Sequence, residues 1–350
     1  MFAFGAQRGM NTYLYAPKDD PYHRDQWRLP YPPRAWTDLC QLIDSARAHG
    51  ISFVYGFHPG KGLHFTTGNA VQILLSKAAR LYDKGVRTFA VLFDDIPSHL
   101  EFPEDIQMFE GSLAKAESLW LAAILEQQPA HWEAEWWFCP SRYTDDPLLS
   151  QTFGEFEPGF LDTVAEFLPP HVSCFWTGPK VVSTAITLPH VQSIAQRIRH
   201  PLLLWDNYPV NDLSMREEMH IGPLQGRDPR LSEVVYGHLS NPLLQEELSF
   251  IPLATCFDYA REPLSYNAEE SWARVIRERW GAAALHPWYA LRSFCEMQLR
   301  QGPHTPIQLD ETQRVALQGA LTYTEQHAND EWVTELTPWL ERMQEAAHIN

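Results

Sequence analysis

An alternation of strand and helix that repeats along most of the chain limits its fold more than any other feature. Apolar runs at 10–17, 51–57, 87–93, 134–140, 171–177, 201–207 and 234–239 are nearly continuous rather than alternating with polar residues. Such runs mark strands buried on both faces, as in a parallel sheet covered by helices. Between them, Trp36, Leu39, Cys40, Ile43 and Ala46 recur at helical spacing and stop at Gly50, and Val71, Leu74, Leu75, Ala78 and Leu81 do the same before Gly85. A third helix takes in Phe109, Leu113, Ala116, Leu119 and Trp120. About seven βα units in roughly 240 residues come close to the repeat of an eight-stranded barrel. The missing unit is at the front, because residues 1–9 read as the tail of a helix ending at Gly9 with no strand before it. The expected fold is therefore α/β, a (β/α)8 TIM-type barrel that is N-terminally incomplete.

From about residue 262 the pattern turns to helix only. Asn267 with Glu270 makes a capping-box-like start, and later helices are lined by Trp288 and Leu291, by Val315, Leu317 and Leu321, and by Trp332, Leu336 and Trp339. The sequence thus divides into a barrel over 1–260 and a helical appendage over 261–350, the latter suited to a homodimer surface or a lid.

Composition narrows the function. A formal charge of −17 over 350 residues opposes the Lys- and Arg-rich footprint that phosphate backbones require, so no nucleic-acid partner is expected. No apolar run approaches the roughly 18 residues of a membrane span. Cys40, Cys139, Cys174, Cys256 and Cys295 are widely spaced, which signals buried thiols and neither a disulfide framework nor a metal site. Residues 56–62 resemble a phosphate loop but are one residue short and lack its final Ser or Thr. His58 and His64 share that loop without a third ligand nearby, and Asp145-Asp146-Pro147 reads as a turn. No cofactor and no Gly-x-Ser-x-Gly elbow are indicated. Met1 is not followed by a secretory signal, so the chain as given reads as cytoplasmic, although the missing front leaves secretion open.

Chemistry-bearing residues gather where strands end. Asp94 and Asp95 close the third strand. Neighbouring residues on a strand point to opposite faces, so two carboxylates converge on one ligand only where the backbone turns. A pair that merely caps the next helix is the plainer alternative. Lys18, Tyr143, Trp205, Asn207, Asp212 and Asn241 follow the ends of other strands, and in a barrel such ends face one pocket. A proton donor, aromatic faces and hydroxyl-binding polar groups are what a carbohydrate site needs.

Asn11 to Asp20, Phe93-Asp94-Asp95-Ile96, Phe138-Cys139-Pro140 with Tyr143, Trp176 to Ser183, Trp205-Asp206-Asn207 with Asn211-Asp212, Gly222-Pro223 and Asn241-Pro242 together resemble glycoside hydrolase family 84, the β-N-acetylglucosaminidases that include protein O-GlcNAcases and enzymes once called hyaluronidases. The resemblance runs in order from about residue 10 to 260. It implies a retaining exo-β-N-acetylglucosaminidase with substrate-assisted catalysis, in which the substrate's acetamido oxygen attacks the anomeric carbon to give an oxazoline. By the same likeness Asp94 would bind the acetamide N–H, Asp95 would be general acid and then base, and Tyr143 would line the acetamide pocket. Trp205 would form an apolar wall, and Lys18, Asn207, Asp212 and Asn241 would bind the sugar.

Leu213 stands where relatives carry an aromatic, and the Gly-rich loop with which the family opens its barrel has no counterpart. The expected partner is a glycoprotein or glycan bearing N-acetylglucosamine. Weak or absent activity is expected of the chain as given, and full activity once about 25 to 35 upstream residues supply a βα unit; the alternative is a weakly active or non-catalytic N-acetylglucosamine-binding relative. An endo-acting hyaluronan hydrolase is disfavoured by the charge of −17.

Overall fold

Seven strands make one parallel sheet whose order follows the sequence: β1 Thr12–Tyr15, β2 Ser52–Phe57, β3 Thr88–Leu92, β4 Glu135–Cys139, β5 Ser173–Trp176, β6 Leu202–Asp206 and β7 Val235–Ser240. They belong to a computed structural model in which residues 1–60, 62–301 and 309–347 are described; Lys61 of the near phosphate loop lies outside that set. Six of the strands fall within the apolar runs that predict them, and β7 runs one residue past its own, to Ser240. This is the sheet of a (β/α) barrel, with β1 and β7 at its two ends among the described residues.

The chain separates into two compact units, residues 1–205 with 230–239 and residues 206–229 with 240–350. In the first, the two-residue period of the strands sorts side chains into two cores. Phe53, Tyr55, Phe57, Phe89, Val91 and Phe138 pack outward with helix residues such as Leu39, Leu74 and Leu121. Val54, Ala90, Leu92, Trp137, Cys139 and Phe175 pack together on the other face. Burial of a large apolar side chain contributes roughly 1.5–3 kcal/mol, and the strands accordingly carry charge only at their terminal residues, Glu135 opening β4 and Asp206 closing β6.

Two helix readings are corrected. Phe109 does not share a helix with Leu113: one helix is Pro103–Met108 and the next Leu113–Gln127. The break lies at Glu110 and Gly111, both with positive φ (56° and 79°), and Ser112 then caps the second helix by accepting from the Lys115 N–H. Asp145-Asp146-Pro147 starts a helix rather than a turn. Asp146 caps Pro147–Phe153 by accepting from Leu148 N–H at 3.1 Å, with proline at the first helical position.

The second unit is built on the helices Glu246–Arg261, Ala268–Trp280, Leu285–Gln301, Glu311–Gln326 and Glu331–Ala347. Its core holds Trp272, Trp288, Trp332 and Leu336. Asn267 caps its helix as expected, accepting from Glu270 N–H at 3.1 Å. Four of the five cysteines are buried and all are free thiols. Among the described residues no helix is long and apolar enough to cross a membrane.

Candidate active site

Strand β3 carries Ala90 and Leu92 on the inner face, and two residues further on the same parity falls on Asp94. Asp95 breaks the alternation. Its φ is 59°, in the left-handed region where a non-glycine residue costs of order 1–3 kcal/mol, and the turn brings both carboxyls to one end of the strand. The Asp95 carboxyl accepts a hydrogen bond from Tyr143 Oη at 2.8 Å. Burial raises its pKa first and the neighbouring Asp94 charge raises it further, while Tyr143, Lys18 and Arg24 draw it part of the way back. Asp95 therefore stays protonated at a higher pH than an ordinary carboxyl. Burial, with the negative charge of Asp95 beside it, pushes the Tyr143 phenol well up, so that it remains a donor.

Asp94 has a different setting. Its Oδ1 is buried without a hydrogen-bond partner, 3.8 Å from His58 Nε2, so the 24% exposure of the side chain lies on its other atoms. His58 also touches the Asp94 carbonyl, 2.8 Å from Nε2. Sequence reasoning set His58 aside as a loop residue; its place one residue beyond β2, beside the end of β3, was the signal. His64 goes elsewhere, with Nδ1 3.1 Å from Asp105.

The loop that presents Tyr143 is anchored on both sides. Thr177 N–H donates to the Tyr143 carbonyl at 3.0 Å, and Thr144 Oγ1 donates to the Gly178 carbonyl at 2.8 Å. From below, Ser141 N–H donates to Oε2 of Glu117, a fully buried helix residue. Burial pushes the Glu117 carboxyl up to about 8 from an ordinary 4.5. Because the folded state holds this proton more tightly than the unfolded chain, the stability it lends is fully present below the ordinary value and is lost as pH rises through about 8. We expect Glu117→Gln to gain on the wild type between about pH 5 and pH 8.5 by on the order of a few kcal/mol. Urea unfolding at the two pH values checks this; an equal difference at both would rule it out.

The other sequence-derived residues divide between the units. Lys18 is exposed on the loop after β1, close enough to act on Asp95 electrostatically. Asp20 organises that loop, accepting from Tyr15 Oη at 2.7 Å, from Tyr22 N–H at 2.8 Å and from Tyr31 Oη. Trp205, half-buried near the end of β6, meets Phe175 edge-on at 5.3 Å. In the second unit Asn241 Nδ2 donates to Asn207 Oδ1 at 3.1 Å. Asp212 heads the short turn Leu213–Met215, and Leu213 is exposed with φ 51°. Asn211 of the same motif braces its own unit, its Oδ1 accepting from Leu244 N–H at 2.9 Å. Among the described residues no group of three or more His, Cys, Asp or Glu is placed to hold a metal ion.

Two carboxyl groups with unequal surroundings at the carboxyl end of a parallel sheet are the arrangement of a barrel glycosidase. The family model for beta-N-acetylglucosaminidase (NAGidase) matches residues 1–295. The chain belongs to this family, glycoside hydrolase family 84. Over 250 residues, 70% of the chain, it is 34% identical to the protein O-GlcNAcases of Rattus norvegicus and Mus musculus, covering 26% of each. The chain thus spans about a quarter of the length of these relatives. Among solved structures it is similar to a mutant O-GlcNAc hydrolase of Thermobaculum terrenum, with TM-score 0.81, 29% identity, 98% of this chain and 76% of that one covered. It is also similar to CpGH84B, with TM-score 0.75, 26% identity, and 97% and 62% covered.

Proposed function

We propose that this chain is a retaining exo-β-N-acetylglucosaminidase that removes O-linked N-acetylglucosamine from glycoproteins or glycans by substrate-assisted catalysis. The observation that carries the reading is the inequality of adjacent acids: Asp95 half-buried, raised in pKa and held by Tyr143, and Asp94 beside it with an unbonded oxygen. Asp94, ionised, accepts the acetamide N–H and stabilises the positive charge that develops as the acetamido oxygen attacks the anomeric carbon. Asp95 protonates the departing oxygen, then takes a proton from the water that opens the oxazoline. No protein nucleophile is needed, which separates this route from the usual two-carboxylate scheme.

Tyr143 lines the acetamide pocket, Trp205 gives the sugar an apolar wall and Lys18 binds it; Asn207, Asp212 and Asn241 are assigned sugar binding by their motif positions. The names of the relatives, protein O-GlcNAcase and O-GlcNAc hydrolase, support the substrate class. Proton NMR of an aryl N-acetyl-β-glucosaminide during hydrolysis tests the reading. The first-formed sugar is expected to be the β-anomer, and the rate is expected to fall with each fluorine placed on the acetamido methyl. Release of the α-anomer, or a rate indifferent to fluorine, would exclude an attacking acetamide.

A further inference from the structure

His58 sits in a fitted seat. Its backbone N–H donates to the His23 carbonyl at 2.9 Å, and its ring lies against Gly60, where an added Cβ would come within 2.7 Å of Nδ1. Gly60 has φ 44°, so glycine serves there both for the turn and for the close approach of the ring. The His58 side chain is only 7% exposed, and Nε2 lies 2.8 Å from the Asp94 carbonyl oxygen. A carbonyl only accepts, so Nε2 carries the proton and donates. Arg24 Nη2, 3.2 Å from the same nitrogen, can only donate, so it competes with the Asp94 carbonyl for Nε2, and the shorter contact, to the carbonyl, assigns the proton to Nε2.

The carbonyl so held belongs to the peptide that joins Asp94 to Asp95. Its other end is the nitrogen about which Asp95 takes its φ of 59°. Strained backbone persists only where its surroundings over-determine it. Here the peptide is pinned by His58 and the side chain by Tyr143 Oη at 2.8 Å, one constraint on each side of the Asp95 Cα. Without the first, the turn is free to relax toward the right-handed region and carry the carboxyl away from the leaving group.

We propose that His58 is a positioning residue for the catalytic pair, its Nε2–H holding the Asp94 carbonyl and thereby the left-handed turn that aims Asp95. The proposal rests on the roles given to Asp94 and Asp95 above. Three variants of the full chain test it. His58→Leu removes the donor; His58→Asn keeps polarity but falls short of the carbonyl; His58→Gln places an amide nitrogen near the original Nε2. With aryl N-acetyl-β-glucosaminides of graded leaving-group acidity, the Leu and Asn variants are expected to lose about 10²-fold, in kcat rather than KM. That loss should grow as the leaving group worsens, because the displaced group is the proton donor. His58→Gln should remain within about tenfold of wild type. A loss equal for all leaving groups, or a Gln variant as poor as Leu, would overturn the proposal.

A second measurement does not depend on turnover. Carbon NMR should find the Asp95 carboxyl titrating above the ordinary carboxylate range in wild type and His58→Gln, and lower in His58→Leu or His58→Asn as water reaches it. An unchanged titration in a folded variant overturns the positioning role even if activity is lost. A His58-dependent titration in a wild type that hydrolyses nothing supports the turn and sinks the catalytic assignment instead.

Discussion

Asp94→Asn should lower kcat/KM by about 10³-fold or more for every leaving group alike. The amide keeps the shape and can still accept from the acetamide N–H, but it lacks the negative charge that opposes the charge developing on the oxazoline. That charge develops whatever group departs, so the loss is uniform. A second consequence follows from the adjacency of the two acids. Burial is the larger cause of the raised Asp95 pKa and the Asp94 charge the second, so removing that charge should move the alkaline limb of kcat/KM to lower pH without returning it to the ordinary range. Steady-state rates across pH, with a good and a poor leaving group, check both parts. An Asp94→Asn variant within tenfold of wild type would remove Asp94 from the chemistry, and one impaired only on poor leaving groups would move the acid role from Asp95 to Asp94.

Asp95→Asn should give the opposite dependence. General acid catalysis contributes about 10²–10⁴-fold, and the contribution is needed in proportion to the basicity of the departing oxygen. An alkyl glycoside such as a serine-linked sugar should lose the full amount, and a dinitrophenyl glycoside far less in its first step. In the proposed route, opening of the oxazoline also uses Asp95 as base, so a fast first step should expose a slow second one as a burst of phenolate. An added strong nucleophile such as azide should then raise the rate of the variant and leave the wild type unaffected. The absence of any leaving-group dependence would show that another residue delivers the proton.

The strand content was legible because a parallel strand buried on both faces has little room for a charge except at its ends, and six of the seven apolar runs contain their strands, β7 extending one residue beyond its run. Helix boundaries were less so. Phe109 continues the spacing of Leu113 and Ala116, yet the chain breaks there because Glu110 and Gly111 turn through positive φ and Ser112 starts a new cap. Asp146 before Pro147 is ambiguous in sequence, since the same pair opens turns and helices; the apolar Leu149 beneath it decides for the helix. Of the site, Asp94, Asp95 and Tyr143 could be named from strand ends and motif, and Tyr143 does bond Asp95. His58 and Glu117 could not be ranked. One is an isolated histidine in a glycine loop, the other a carboxylate on a helix whose neighbours alone make it buried.

By itself, then, the sequence determined the parallel βα architecture, the family and the position of two adjacent acids after β3, because these depend on local periodicity and contiguous motifs. Only the tertiary structure decided what distinguishes the acids. The left-handed turn at Asp95, the Tyr143 hydroxyl on its carboxyl, and His58 on the Asp94 carbonyl bring together residues 36 to 48 positions apart. Burial and hydrogen bonding set a pKa through all neighbours at once, and sequence spacing carries no record of which neighbours those are.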